Sequence, residues 1–319
     1  MQYTRRDMAR IALASVPLAK AFAVKRIDSK IGGVQIGAIS YSFNRIASPD
    51  PQAIVRAYVE IGLGEVELMS NHCEALAGAP EMPAAGRSGG GRAQPTPEQQ
   101  AERQAAAEKL VQWRASANAQ TWTAVRKKFN DVGVDVALLC YNMQDSMKDQ
   151  DIEYGFSMAK GLGVKAMTTS TTLTMAKRIA PIADKHKLMV GYHGHDATND
   201  PNQTATLESY DQLMAYGKYN AINLDIGHFT AAGYDAVAFI KQHHAKITNL
   251  HLKDRKKNHG PNVAVWGTGD TPLKEVLQLL KAEKYPIPAN LELEYPVPQG
   301  SDIVTEAKKC FAYVKSCLA

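Results

Sequence analysis

The chain alternates between short apolar runs and longer segments in which apolar residues recur at helical spacing. Several of the short runs are almost continuously apolar, which is typical of parallel strands that are covered on both faces. Eight such runs follow one another, and we predict a strand at each. The candidate strands are Val34–Tyr41, Glu65–Met69, Val134–Tyr141, Val164–Ser170, Lys187–His193, Ala221–Ile226, Ile247–Leu252 and Asn290–Tyr295.

The segments between these strands carry the periodicity of amphipathic helices. Gly62, Gly133 and Gly163 each precede a strand, which suits a helix that ends in a glycine C-cap. Eight strand–helix units predict a single-domain (β/α)8 barrel over residues 31–319. A doubly wound sheet is the fallback, but no Gly-x-Gly-x-x-Gly motif follows the first strand. Helices are predicted at Pro51–Ile61, Glu98–Ser116, Thr121–Asp131, Ile152–Leu162, Met175–His186, Tyr234–His243 and Pro272–Glu283.

One segment interrupts this alternation after the second strand. Residues 78–97 are rich in glycine, proline and alanine and offer little apolar surface to bury. They follow the strand on the barrel face where active sites form, so a mobile lid is one interpretation. The segment contains no aromatic residue, and its composition favours a disordered insertion.

The N-terminus has the pattern of an export signal rather than of a fold element. Arg5 and Arg6 precede an apolar run, Ile11–Leu18, and residues 21–23 read Ala-Phe-Ala, which suits a cleavage position. We predict that residues 1–23 are a signal peptide, similar to a twin-arginine signal, and hence that the protein is periplasmic or in the cell envelope. An amphipathic helix on the mature fold is the alternative.

Composition and charge limit the kinds of partner that we expect this protein to bind. The formal charge is +5, but residues 1–23 contribute +3 of it, and the rest is spread along the chain. A nucleic-acid-binding protein would concentrate its basic residues, so we predict no nucleic-acid partner. The body has no apolar stretch of about 18 residues, which argues against stable membrane insertion. The four cysteines form neither a metal knuckle nor a disulfide framework, and the sequence leaves homo-oligomerisation open.

Side chains that bind metals stand at the ends of four consecutive strands. Residues 192–196 read Tyr-His-Gly-His-Asp, 224–228 Leu-Asp-Ile-Gly-His, 250–254 Leu-His-Leu-Lys-Asp and 291–295 Leu-Glu-Leu-Glu-Tyr. One histidine at a strand end is usually structural, but four consecutive strand ends of a barrel meet around one axis. We therefore predict one divalent ion (Mn²⁺, Co²⁺, Fe²⁺ or Zn²⁺), held by His193, Asp225, His251 and Glu294.

The choice between the two glutamates of strand eight follows from the period of a strand. Glu292 and Glu294 share a face, and the residue nearer the end of the strand is closer to the mouth of the site. We therefore place Glu294 at the metal and Glu292 one layer deeper.

Four motifs in this order resemble the xylose-isomerase-like barrel superfamily, particularly its sugar phosphate isomerase/epimerase group. They are LDIGH, NLHLKD, WGTGD and LELEY, and the similarity extends over about residues 34–318 apart from the insertion. The resemblance implies one divalent metal, with Asp225, His251 and Glu294 as ligands. It also implies that His228 lies near a sugar and the Gly267–Asp270 turn beside the site. The implied activity is removal of a proton next to a sugar carbonyl through a metal-stabilised enediolate, as in a sugar isomerase or epimerase.

Strand five departs from the pattern of this group. Its epimerases carry glutamate there, in a sequence like Leu-Glu-Asn-His, whereas this chain has His193. Paired glutamates let an epimerase remove a proton from one face of a ketose and return it to the other, so a histidine argues against that exchange. The alternative is a lyase or hydrolase that cleaves 3-keto-glycosides by β-elimination of the aglycone. The predicted export favours this alternative, because phosphorylated sugars are scarce outside the cytoplasm.

Proton transfer and sugar binding need further side chains near the metal. Glu67, His195 and Lys253 are candidates for the general base, and Glu294 could serve as both ligand and base. Glu67 is otherwise a hydrogen-bonding clamp for the sugar, and Lys253 is otherwise a partner of Asp254 in an ion pair. Trp266 contacts the sugar or packs beneath the turn that follows it. The candidates for sugar contacts are Tyr41, Asn71, His72, Tyr141, His228 and Trp266.

Two other functional classes share some of these features. Endonucleases of the same superfamily cut at abasic DNA sites with three zinc ions, which requires Asp-x-His after strand seven and a histidine that ends strand three. This chain has Asn-Val-Ala at residues 262–264 and Tyr-Asn at 141–142 in those places. A non-catalytic sugar-binding protein would tolerate an incomplete metal set, so metal content distinguishes it from an enzyme.

Overall fold

A closed barrel of parallel strands forms the centre of the molecule. A computed structural model describes residues 24–47, 49–83 and 96–319. Strands β2 to β9 are parallel in sequence order, and β2 also pairs with β9, which closes the sheet. The short strand β1 pairs with β2 in an antiparallel hairpin. The strands are β1 (Lys30–Ile31), β2 (Val34–Ile39), β3 (Glu65–Met69), β4 (Asp135–Cys140), β5 (Ala166–Thr169), β6 (Met189–His193), β7 (Asn220–Asp225), β8 (Ile247–Leu252) and β9 (Ala289–Leu291).

Helices surround this barrel, which confirms the predicted single-domain (β/α)8 fold. All seven predicted helices are present within a few residues of their expected bounds. Four further helices, α2, α7, α8 and α11, were not predicted from the sequence, and short 3₁₀ turns follow β2 and precede β8. The helices are α1 (Gln52–Ile61), α2 (Ser70–Leu76), α3 (Pro97–Ser116), α4 (Ala119–Asn130), α5 (Asp149–Leu162), α6 (Leu173–His186), α7 (Leu207–Ala215), α8 (Ile226–Ala231), α9 (Ala236–His243), α10 (Leu273–Glu283) and α11 (Ile303–Leu318).

The apolar periodicity of the helices explains how they pack. Helix α5 buries Ile152, Phe156 and Ala159, which recur at the spacing of one helix face, against the strands. Gly62 ends α1 with φ of 86°, and its N–H donates to the carbonyl of Tyr58 at 3.0 Å. Only glycine adopts this left-handed conformation without strain, so the chain turns directly into β3.

The last strand is shorter than predicted. β9 ends at Leu291, and the residues after it bond to the end of β8 and to the turn that follows β2, the two neighbouring strands. The N–H of Glu292 still donates to the carbonyl of Leu252 at 3.0 Å, but that of Leu293 donates to Ser42 Oγ at 3.0 Å. Both glutamates of the LELEY motif therefore lie just beyond the strand, at the mouth of the barrel.

Two predicted segments lie wholly or mainly outside the described residues. The predicted signal peptide, residues 1–23, is one, and residues 84–95 of the predicted insertion are the other. The insertion does not extend to Pro97 as predicted, because Pro97 begins α3 and the Thr96 side chain accepts a hydrogen bond from the Gln99 N–H. Among the helices of the described ranges, none has the length and apolarity to span a bilayer.

Candidate active site

Polar residues occupy alternate positions at the carboxyl ends of β7, β8 and β9. Because alternate residues of a strand share a face, each strand directs a series of them into the barrel. Towards the mouth, each series begins with an asparagine and continues with a residue able to bind a metal. The series are Asn223 and Asp225; Asn249, His251 and Lys253; and Asn290, Glu292 and Glu294.

The LDIGH motif orients one carboxylate. Asp225 is both the last residue of β7 and the N-cap of α8, and its Oδ1 accepts from the His228 N–H at 2.7 Å. This hydrogen bond leaves Oδ2 directed into the barrel, 3.4 Å from Nε2 of His193. A helix cap thus holds the aspartate in the orientation that a ligand needs.

Four side chains converge on one point. Ligand atoms of His193, Asp225, His251 and Glu292 all lie within 4.8 Å of one another. Asp225 Oδ2 and Glu292 Oε2 face the imidazoles and one ammonium at ion-pair distances, and both ring nitrogens of His193 are buried without a hydrogen bond. Buried polar atoms are normally satisfied, so the two unpartnered nitrogens of His193 within this charged group need an explanation. Two imidazoles and two carboxylates fit a divalent ion of the kind predicted.

The structure puts Glu292, not Glu294, in this group. Glu292 Oε2 lies 2.8 Å from His251 Nδ1 and 3.7 Å from His193 Nε2. The side chain of Glu294 is 25% exposed, and its Oε2 contacts Lys253 Nζ. From strand eight the sequence predicted the glutamate nearer the strand end, whereas the glutamate that reaches His193, Asp225 and His251 lies two residues earlier. Binding of a metal by His193, Asp225 and His251 stays a prediction, with Glu292 as the fourth candidate ligand.

Lys253 lies within this carboxylate cluster. Its Nζ is 2.9 Å from Asp225 Oδ2 and 3.0 Å from Glu292 Oε2. Burial acts to lower the pKa of Lys253, but the carboxylates of Asp225, Glu292 and Glu294 outweigh it and raise the pKa. The side chain is therefore an ammonium. Asp254, the alternative partner considered for Lys253, instead accepts from the N–H groups of Gly267 at 2.8 Å and Gly269 at 2.9 Å.

Glu67 lies beneath the cluster and is fully buried. Its carboxylate accepts hydrogen bonds from Thr168 Oγ1 and from Nδ2 of Asn249 and Asn290, both at 2.9 Å, and its Oε2 lies 2.8 Å from His251 Nε2. Burial acts to raise the pKa of Glu67, but the charge of His251 and these hydrogen bonds lower it overall. Glu67 is therefore an anion. It is not among the residues that line the cavity above it.

A cavity of about 310 Å³ opens above the four-residue group. His195, His228 and Tyr41, which the sequence predicted to act on or contact the substrate, are among the residues that line it. His195 Nε2 lies 3.3 Å from Ser170 Oγ, and burial, followed by the charges of His193 and His228, lowers its pKa to about 3. The full lining is Ile39, Tyr41, Met69, Cys140, Asn142, Ser170, His193, His195, Asn223, His228, His251, Glu292 and Glu294.

Four of the predicted sugar contacts lie elsewhere. Tyr141 is buried, and its hydroxyl donates to the carbonyl of Asp151 at 3.1 Å. Trp266 is buried in the hydrophobic core and is not among the residues that line the cavity. Asn71 and His72 line a separate cavity, and His72 Nδ1 is 3.0 Å from Ser40 Oγ. A residue that merely follows a strand can turn outwards, so strand-end position alone did not place these four.

Other residues in and around the cavity wall were not predicted from the sequence. Asn142 and Ser170 follow β4 and β5, so the strand-end argument used for the histidines could have found them. Asp196 and Arg255 form an ion pair at 3.0 Å beside His228, whose Nδ1 lies 3.1 Å from Asp196 Oδ1. No sequence pattern indicated that this pair holds His228.

The fold and the cluster together define a (β/α)8 barrel whose strand ends carry a group of side chains suited to a divalent metal. Residues 168–314, from β5 to α11, match the family described as xylose isomerase-like TIM barrel. No curated protein matches the chain in sequence.

Solved structures with the same fold come from several enzymes. A sugar phosphate isomerase/epimerase from Parabacteroides distasonis is 14% identical, with 92% of this chain and 98% of that one covered and a TM-score of 0.58. A probable 3-DHS dehydratase involved in petrobactin synthesis, from Bacillus anthracis, is 16% identical over 88% and 99%, with a TM-score of 0.59. The 3-keto-D-glucoside 4-epimerase from E. coli is 13% identical over 89% and 100%, with a TM-score of 0.58. At such identities, the likeness establishes the fold.

Proposed function

We propose that this protein is a divalent-metal-dependent carbohydrate enzyme that removes a proton from the carbon next to a sugar carbonyl. The observation that supports it most is the convergence of four buried ligand atoms, of His193, Asp225, His251 and Glu292, beneath an open cavity. Sugar isomerases and epimerases among the similar structures agree with this class of reaction. A cavity of about 310 Å³ lies at the small end of the range for ligand sites and suits a compact sugar.

The residues in and around the cavity have different roles in the proposed reaction. A bound divalent ion supplies Lewis-acid polarisation of a carbonyl, which acidifies the adjacent C–H bond. His195 and Glu294 line the cavity and are the candidates to take up and return the proton. Lys253, an ammonium beside Glu294, is a donor rather than a base, and Glu67 has no path to the substrate. Tyr41 and His228 orient the sugar from the rim.

The test is proton NMR in D₂O with metal-loaded protein and free ketoses. Deuterium should enter the carbon next to the carbonyl, and an aldose or a stereoisomer should appear. His195→Gln should lower the exchange rate at least tenfold while metal content is retained, since general acid–base groups contribute about 10²–10⁴-fold. His244→Gln, which changes a histidine stacked on Tyr285 away from the cavity, is the matched control. Stoichiometric metal without exchange in any ketose would refute the proposed reaction for these substrates.

A second candidate is cleavage of 3-keto-glycosides by β-elimination, which His193 favours. The group facing Asp225 and Glu292 from β6 is an imidazole, so the pair of opposed carboxylates that two-faced epimerisation uses is incomplete. Elimination needs proton removal from one face only, with the aglycone leaving from the neighbouring carbon. Release of the aglycone from a 3-keto-glycoside, without isomerisation of free ketoses, would select this candidate. We also propose that residues 1–23 export the protein, on the strength of Arg5 and Arg6 before an apolar run.

A further inference from the structure

We infer that Glu67 is a positioning residue, whose carboxylate keeps a proton on Nε2 of His251 so that Nδ1 of the same ring is available to the metal. The inference rests on the metal site of the proposed function. It replaces the two roles that the sequence suggested for Glu67, general base and sugar clamp, with one that needs no contact with the substrate.

The two nitrogens of His251 face different surroundings. Nε2 lies 2.8 Å from Glu67 Oε2, deep in the barrel. Nδ1 faces the cluster, 2.8 Å from Glu292 Oε2, so a metal bound between these two side chains would take the place of their ion pair. An ionised carboxylate only accepts hydrogen bonds, so Nε2 must donate to Glu67. The amide nitrogen of Asn223, 3.2 Å from Nε2, is itself a donor and offers no other acceptor for this proton.

The surroundings of Glu67 hold it as a fixed anion. Asn249 and Asn290 donate to Oε2, while Thr168 and, at 3.4 Å, Asn223 donate to Oε1. These donors come from four different strands, and the side chain is fully buried. Burial of a carboxylate is costly unless such donors compensate for lost water, so this arrangement maintains the charge that His251 faces.

The same contacts separate Glu67 from the chemistry. His251 and the asparagines lie between Glu67 and the cavity, and Glu67 is absent from the cavity lining. A carboxylate that accepts the second N–H of a metal-binding histidine fixes the tautomer and raises the basicity of the ligand nitrogen. The consequence for this chain is that Zn²⁺ affinity depends on a residue that does not touch the ion.

The test compares Glu67→Gln with Glu65→Gln in the full-length protein. Glu65 lies two residues earlier on the same face of β3 and is also buried, but its nearest cation is Lys165, at 3.5 Å. It lines a cavity at the opposite mouth of the barrel, away from His251. Zn²⁺ affinity is measured by competition with a chromophoric chelator, with circular dichroism to confirm folding.

Glu67→Gln should weaken Zn²⁺ binding about 10–100-fold, whereas Glu65→Gln should leave it unchanged. A folded Glu67→Gln protein with wild-type affinity would overturn the inference, and so would equal losses in the two variants. Should Glu67→Gln not fold, NMR of Zn²⁺-loaded wild-type protein with ¹⁵N-labelled histidine decides the matter. His251 should carry its proton on Nε2, and a proton on Nδ1 would overturn the inference.

The outcome is distinguishable from failure of the proposed reaction. Wild-type protein that binds no Zn²⁺ would overturn the inference about Glu67. Protein that binds Zn²⁺ and loses affinity in Glu67→Gln supports the inference, even if no sugar exchanges deuterium in the separate NMR assay. That last result would refute only the proposed reaction.

Discussion

Lys253 offers a quantitative test of the charge balance in the cluster. Its side chain is 2% exposed, and its Nζ lies within 3.0 Å of Asp225 and Glu292 and also contacts Glu294. Lys253→Met keeps most of the side-chain volume but removes the ammonium, which leaves buried carboxylates without their nearest cation. Removal of one partner from a buried ion pair costs about 3–5 kcal/mol. At roughly 2–4 °C per kcal/mol for domains of about 150–250 residues, the Tm of the metal-free protein should fall by roughly 6–20 °C.

The same variant should respond more strongly to metal. A divalent ion would bring positive charge to the carboxylates that Lys253 neutralises, so loss of the ammonium removes a repulsion between the two cations. Thermal unfolding followed by circular dichroism, in EDTA and in Zn²⁺, should show a larger Zn²⁺-induced rise in Tm for Lys253→Met than for wild type. The rise itself follows from binding to the folded state, about 4 kcal/mol at a metal concentration 1,000 times Kd.

The control is Lys127→Met, which breaks an exposed ion pair with Asp131, whose side chains are 70% and 55% exposed. Exposed pairs contribute about 0–1 kcal/mol, so its Tm should stay close to that of wild type. The reasoning is refuted if Lys253→Met and Lys127→Met unfold at the same temperature in EDTA. Equal Zn²⁺-induced shifts in Lys253→Met and wild type would refute the argument about charge.

Three further predictions concern single positions. Glu292→Gln should lose bound metal, while Glu294→Gln should retain it and lose turnover; metal analysis showing the reverse would restore Glu294 as ligand. Gly227→Ala would place a Cβ 2.3 Å from Lys253 Cγ and 2.8 Å from its carbonyl oxygen, so urea unfolding should show a loss of roughly 1–3 kcal/mol. Burial lowers the pKa of His72 from 6.5 to about 4, so the unfolded chain binds the extra proton first as the pH falls. Wild type should therefore lose about 2 kcal/mol more stability than His72→Gln between pH 7 and pH 5, and equal losses would refute this.

The barrel itself could be predicted from the sequence. Apolar runs such as Ile247–Leu252 are buried strands because alternation and burial are local properties, which a short window of sequence expresses. The same reasoning brought His193, Asp225 and His251 to one end of the barrel, since the carboxyl ends of parallel strands meet there.

Only the tertiary structure decides how deep in the barrel each side chain of the site lies. The strand period states that Glu292 and Glu294 share a face, but not which of them reaches the level of His251. That level depends on how neighbouring strands are staggered and on where β9 stops pairing, and both depend on contacts with distant residues such as Ser42. The sequence therefore predicted Glu294, whereas the cluster that the structure shows contains Glu292.

Contacts between residues far apart in the sequence could not be predicted from the sequence either. Glu67 accepts from Asn290, 223 positions away, and faces His251, 184 positions away. A lone glutamate at a strand end looks like a base or a clamp, because nothing near it in sequence shows that every lone pair is already engaged. Local pattern determined which residues point into this barrel, whereas only closure of the barrel determined which groups they meet and which ones water or a sugar can reach.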